Sequence, residues 1–157
     1  MSSLAEQFRE QLNKKDCVRD RNLARGRKNR RTFCNLRKPD FYKPEREYQD
    51  ILCNTLQAAY EKKLVNEKTG RPVKYLIINL PPGFGKSYTL ANFVNWVYGQ
   101  DVKNKVITVS YNGIIAPEFS RTAKDMILEE ETEGEECYTT RSFFPDLKIK
   151  YGDSSVM

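Results

Sequence analysis

The stretch "LIINLPPGFGKSYTLANF", residues 77–94, constrains the fold more than any other part of the chain. It runs from an apolar segment through two prolines and two glycines into a sequence with helical periodicity. "YLIINL" (75–80) is a near-continuous apolar run of the kind found in strands buried on both faces of a parallel sheet. Behind the glycines, Leu90, Phe93, Val94 and Val97 form a helical stripe that ends at Gly99. A glycine-framed lysine between a strand and a helix is the usual form of a phosphate-binding loop, Gly-x-x-x-x-Gly-Lys-[Ser/Thr]. Gly85, Lys86 and Ser87 fit that pattern, whereas Leu80 stands where the first glycine belongs.

The physical requirements of such a loop are met better than its written pattern. Successive backbone N–H groups must face an anion, and the helix N-terminus beyond adds its partial positive charge. Gly83 and Gly85 permit the backbone angles this needs. Pro81 and Pro82 stiffen the entry without donating. The sequence thus predicts that residues 82–88 (Pro82, Gly83, Phe84, Gly85, Lys86, Ser87 and Tyr88) surround a nucleotide phosphate. Lys86 would supply charge to the β- and γ-phosphates, and the Ser87 hydroxyl would ligate Mg²⁺.

The flanking pattern predicts an α/β layered fold. "KVITVSY" (105–111) reads as a second β-branched strand, and "GIIAPEFSRTAKDMIL" (113–128) as a second helix with Pro117 in its first turn. "LKIKYG" (147–152) offers a third strand. The expected architecture is therefore a P-loop NTPase-type parallel sheet flanked by helices. It is incomplete, because such domains have five or more strands. "EEETEGEE" (129–136) reads as a solvated helix end and loop.

Upstream, "EREYQDILCNTLQAAYEKKL" places Tyr48, Ile51, Leu52, Leu56, Ala59 and Tyr60 on one helical face. Gln49 on that helix has the donor and acceptor edge needed to read adenine, with Tyr48, Phe41 or Tyr42 to stack on the ring. A surface glutamine beside core aromatics explains the same pattern equally well. Before this lies a basic segment. Residues 14–31 carry nine Lys/Arg against two Asp. A helix over 2–13 and then an arm ordered only by a partner are expected, giving a basic arm at 1–38 and a partial ATPase domain at 39–157. Arg25, Arg27, Lys28, Arg30 and Arg31 are its candidate contacts to nucleic-acid phosphates. A solvated tail and a protein-binding segment are the other readings of the arm.

Composition excludes some classes. The chain has no histidine, and its four cysteines (Cys17, Cys34, Cys53, Cys137) contain no Cys-x-x-Cys pair, which argues against a zinc site. All four read as reduced thiols, buried or incidental. No apolar run approaches the roughly 20 residues of a membrane span. The N-terminus is polar, which predicts a cytosolic protein. The formal net charge of +6 is compatible with a polyanionic partner.

Taken together, "FYKPEREYQDILCNTL", "KYLIINLPPGFGKSYTLANFVNWVYG" and "KVITVSYNGIIAPEFSRTAKDMI" resemble the N-terminal ATPase region of bacteriophage terminase large subunits. These are the motors that drive DNA into procapsids. The strand–Pro-Pro-x-x-Gly-Lys-Ser loop matches 75–87, Ser110–Asn112 ends the next strand in the family's manner, and Phe119–Ser120 lies in the following helix. "FFPDLKI" (143–149) is also in the family's style, so the likeness covers about residues 40–152.

The resemblance implies ATP-driven translocation of double-stranded viral DNA in the bacterial host's cytoplasm. The small terminase subunit and the portal protein would be partners, and a homo-oligomer is allowed. Carried over, Lys86 is the catalytic lysine, Ser87 the Mg²⁺ ligand, and Gln49 with Tyr48 the adenine site. Two departures stand out. Gly83 replaces a frequent basic residue in the loop, so a transition-state arginine must come from elsewhere, with Arg121 or a neighbouring subunit as candidates. The family's acidic pair after an apolar strand is also absent, since Asp146 and Asp153 do not end one. The expectation is an N-terminal portion, ending before that motif and the nuclease domain, that binds ATP without efficient hydrolysis. A helicase-like nucleic-acid ATPase fragment and a non-catalytic basic binding module are the alternatives.

Overall fold

A computed structural model of the chain describes residues 4–131 and 138–149. Among these residues six helices follow one another: α1 (Leu4–Lys28), α2 (Arg30–Arg37), α3 (Glu47–Tyr60), α4 (Lys86–Gln100), α5 (Ile115–Leu128) and α6 (Thr140–Phe143).

The break between α1 and α2 is made by Asn29. Its backbone is extended, and its side chain accepts from the Thr32 N–H at 2.8 Å, a helix N-cap that ends one helix and starts the next. Gln57 of α3 closes this junction, accepting from Arg30 N–H at 2.9 Å while its Nε2 donates to Lys28 C=O at 2.8 Å. Further carbonyls of α1's last turn accept from α4. Trp96 Nε1 donates to Gly26 C=O (3.2 Å) and Gln100 Nε2 to Arg27 C=O (2.7 Å). Helix ends leave such carbonyls without intrahelical partners, so these bonds dock α1 as well as satisfy it. Gly26 lets Phe143 approach the helix, because a Cβ there would stand 2.8 Å from Phe143 Cδ1. The basic segment is therefore ordered. The helix expected at 2–13 continues to Lys28, and the residues read as a partner-dependent arm are folded onto the core.

The core is aromatic. Phe33, Tyr42, Trp96, Val97, Tyr138 and Phe143 are buried together with Cys34 and Cys53. Phe33 meets Phe143 edge-on at 4.9 Å and Tyr60 meets Trp96 at 5.5 Å, the offset geometry that aromatic pairs prefer. A second cluster joins α4 to α5 through Ala91, Ala123 and Met126.

The expected P-loop NTPase-type parallel sheet is not found among the described residues. Among the described residues the only β-pairing is one antiparallel bridge, Val65 to Pro72. Residues 75–80 and 105–110 carry no regular structure, and Tyr75, Ile77, Ile107 and Val109 are all more than four-fifths exposed. Of the third expected strand, 147–149 are irregular and the rest lies outside the described residues.

The physical reason is visible in α4. A parallel strand is stable only with neighbours beside it and helices over both faces. The buried side chains of α4 include Thr89, Asn92, Asn95 and Trp96, whereas Leu90, Phe93 and Val94 of the stripe expected to cover a sheet are only half-buried. The elements α4 packs against are α1, α2, α3, α5 and α6. With the helices packed on one another, the two apolar runs are left without partners. The helices themselves sit where periodicity placed them, at 47–60, 86–100 and 115–128, with Pro117 in the first turn of α5.

Candidate nucleotide-binding site

The loop before α4 has the backbone its glycines predict. Gly83 has φ +83° and Gly85 φ +70°, both in the region that favours glycine. Gly85 is the left-handed N-cap of α4, and no side chain caps the helix. The first bond of the helix comes from Thr89 N–H to Gly85 C=O at 2.9 Å. The N–H groups of Lys86, Ser87 and Tyr88 precede it at the positive end of the dipole.

No acidic residue lies in this first turn. Lys86 itself occupies the first helical position, half-buried, and among the described residues its ammonium has no hydrogen-bond or ion-pair partner. A cation at a helix N-terminus is unfavourably placed until an anion joins it. Ser87 is exposed.

Aromatic residues converge on the loop. The Phe41 ring lies against Gly85: a Cβ at that position would overlap Phe41 Cζ and stand 2.9 Å from Cε2. Phe41 also meets Tyr88 at 5.3 Å, and Tyr48 meets Phe84 at 5.2 Å. A cavity of about 220 Å³ between α3 and the entry segment is lined by Tyr48, Ile51, Leu52, Thr55 and residues 76–80. The structure thus brings Tyr48, Phe41, Phe84, Gly85 and Tyr88 together. Gln49 is fully buried on α3, and neither atom of its carboxamide has a partner.

The five basic residues divide. Arg25, Arg27 and Lys28 are exposed around the end of α1, with Arg27 Nε also donating to Phe143 C=O at 2.6 Å. Arg30 is enclosed and cannot meet a nucleic-acid phosphate: its Nη2 donates to Thr89 C=O at 2.7 Å. Arg31 pairs with Asp50 and donates to Tyr42 C=O at 3.1 Å.

Sequence reasoning missed the side chains that hold the first turn of α4 from behind. Tyr42 Oη donates to Thr89 Oγ1 (3.2 Å), and Asn92 Nδ2 donates to Tyr88 C=O (3.1 Å). Arg37, buried, donates to Asn92 Oδ1 and Met126 C=O and pairs with Glu129 at 2.6 Å. The available signal was in "RRTFCNLR", where Arg30, Phe33, Cys34 and Arg37 fall at helical spacing on one face.

The residues present fit a phosphate chain better than a metal. N–H donors and an unpaired lysine suit anionic oxygens, whereas Ser87 offers a single hydroxyl to Mg²⁺. Among the described residues no group of three or more Asp, Glu, Cys or His side chains could hold a metal ion. Asp146, which the sequence did not place at the end of an apolar strand, is exposed, and Asp153 lies outside the described residues. Among those residues no helix is long and apolar enough to cross a membrane. Comparison with protein-family models, with curated proteins and with solved structures finds no match to this chain.

Proposed function

We propose that the chain binds ATP at residues 82–88 and is the ATP-binding part of a DNA-packaging motor of the terminase large-subunit kind. It would act on double-stranded viral DNA in the cytoplasm of the bacterial host. The observation that carries the reading is the start of α4. A left-handed glycine opens a fan of uncapped N–H groups, and a lysine without a partner among the described residues stands where only a bound anion makes it favourable. In this arrangement the N–H groups and the Lys86 ammonium hold the phosphates, and the Ser87 hydroxyl takes the Mg²⁺ that accompanies them. Tyr48 of α3 is the side chain for the base, whereas Gln49 is fully buried and does not reach it.

The remaining roles rest on the sequence resemblance together with the exposed cations. Arg25, Arg27 and Lys28 contact DNA phosphates, and the small subunit and the portal protein are the protein partners. Orienting a water for hydrolysis requires a carboxylate near the metal. Among the described residues none pairs with Lys86 or Ser87, so this chain holds ATP far better than it hydrolyses it.

Titration with a fluorescent ATP analogue in the presence of Mg²⁺ tests the reading. Wild type should bind saturably, and Lys86→Ala should bind at least about tenfold more weakly, a loss of about 1.4 kcal/mol, with its helical content unchanged. Equal binding by the two proteins, or none by wild type, refutes it. The exposed cations of α1 favour one second reading, a non-catalytic DNA-binding module. It gains ground if DNA binding survives Lys86→Ala and is lost on neutralising Arg25, Arg27 and Lys28 in a chain that binds no ATP.

A further inference from the structure

Behind the first turn of α4 lies a charge that anchoring the helix does not require. Arg30 is completely enclosed, and its Nη2 donates to the Thr89 carbonyl at 2.7 Å. Its Nε and Nη1 have no hydrogen-bond partner, and among the described residues no carboxylate pairs with it. Asp50 and Glu129 pair instead with the other arginines of α2, Arg31 and Arg37. The ring of Phe93, with its centroid 5.1 Å from Arg30 Cζ, compensates the charge only in part.

A guanidinium does not lose its proton in a protein, so this charge is permanent. Burying one without a counter-ion is strongly unfavourable. A neutral donor would hold the same carbonyl at lower cost, as Asn92 Nδ2 holds the adjacent Tyr88 carbonyl at 3.1 Å. The bond to Thr89 therefore explains a donor at this place, but not a cation.

We propose that Arg30 is a positioning residue of the phosphate site, and that its uncompensated charge, acting across the first turn of α4, makes the site favour ligands with more phosphate charge. The assignment rests on phosphate binding at residues 82–88. Thr89 is the fourth residue of α4, so Arg30 lies roughly 10 Å behind an anion seated on the first N–H groups. At that separation and an effective dielectric of about 20, one pair of unit charges changes a binding constant by about tenfold. Lys86 meets the ligand at the mouth, whereas Arg30 is enclosed and acts on it only through its field and through the turn it holds. Arg37, whose charge Glu129 offsets, contributes less.

The test is displacement of the fluorescent ATP analogue by inorganic phosphate and by tripolyphosphate, without Mg²⁺ and at constant ionic strength. Arg30→Gln keeps a donor and loses the charge. Arg30→Met keeps the length of the side chain and loses both. Tyr42→Phe removes only a neutral tether of the same turn, the bond to Thr89 Oγ1. Wild type should prefer tripolyphosphate, and both Arg30 variants should lower that preference at least about tenfold, while Tyr42→Phe leaves it unchanged. Without ligand, both Arg30 variants should unfold at urea concentrations no lower than wild type, because the charge removed had no counter-ion.

An unchanged preference in the Arg30 variants overturns the proposal, as does an equal change in Tyr42→Phe. Loss of folding in both Arg30 variants also overturns it, since the guanidinium would then be structural. If wild type binds the analogue and Lys86→Ala does not, while the Arg30 variants match wild type, the phosphate site stands and the role of Arg30 falls. If wild type binds neither the analogue nor tripolyphosphate, the phosphate site falls and the role of Arg30 with it.

Discussion

Replacing Gly85 by alanine separates two costs that the loop combines. With φ +70° and ψ +24°, the site is left-handed, and a non-glycine residue there costs about 1–2 kcal/mol. The new Cβ would also overlap Phe41, and displacing a packed ring adds about 1–3 kcal/mol. Gly85→Ala should therefore destabilise the protein by about 2–5 kcal/mol. Gly83 (φ +83°) and Gly70 (φ +62°) share the backbone term but have nothing within 4 Å of the added carbon. Alanine at either should cost only about 1–2 kcal/mol.

Urea unfolding followed by circular dichroism gives the three values from midpoints at a common slope of about 1–3 kcal/mol/M. The steric part is isolated by repeating Gly85→Ala in a Phe41→Leu background. Leucine has no ring atom at the point of overlap, so the double mutant should recover about 1–2 kcal/mol relative to additivity. If Gly85→Ala costs no more than Gly83→Ala, or if Phe41→Leu recovers nothing, the packing of Phe41 over the loop is not what holds it.

Two further outcomes follow from the buried polar groups. Gln49→Leu removes a fully buried carboxamide without partners, so it should stabilise the free chain by about 1–2 kcal/mol in urea. A destabilised variant would mean that the carboxamide is satisfied in solution. Stability should also depend on pH. The folded-state pKa of Cys34 is lowered from 9.0 to about 6, so its contribution is complete above pH 9 and is lost as pH falls toward 6, with a slope of up to about 1.4 kcal/mol per unit. Cys53 and Tyr42 are shifted upward, chiefly by Cys34 and by burial respectively; their contributions are present at lower pH and fade above their unfolded values near 9 and 10. Urea midpoints should rise from pH 6 to about pH 9 and then fall, and Cys34→Ala should flatten the rise. A wild-type profile flat over that range would contradict this.

Much of this was legible in the sequence because it is local. Amphipathic spacing located α3, α4 and α5, and the glycines of "PPGFGKS" announced the left-handed turns at 83 and 85 before any tertiary contact was known. The sheet was misread because an apolar run states that a segment is suited to burial, but not that a partner strand lies beside it. "YLIINL" and "KVITVSY" have strand composition and no neighbours. The basic stretch was misread for the opposite reason. Its charges suggested disorder, but Leu23, Gly26 and Arg30 give it one face that docks, and the pairs Arg19–Glu131 and Arg31–Asp50 are invisible until the chain folds. Gln49 was left between a base reader and a residue beside core aromatics. It is buried, which no spacing rule distinguishes from exposure next to Tyr48.

The demands of a phosphate loop can be separated from those of the sheet that usually carries it. The anion needs a glycine bend, a fan of N–H groups and a helix held still, and none of these requires the preceding residues to be paired as a strand. Here the helix is held by side chains. Arg30 bonds the Thr89 carbonyl, Tyr42 the Thr89 hydroxyl and Asn92 the Tyr88 carbonyl, while Phe41 presses on Gly85 from the other side. Pre-ordering of this kind reduces the entropy lost when a ligand binds. It also places the positive charges of Arg30 and Arg37 behind a turn whose open end already carries Lys86 and the helix dipole. Glu129 offsets part of the charge on the inner side through its pair with Arg37. On the outer side nothing does among the described residues, and a polyphosphate is the ligand whose charge matches that imbalance.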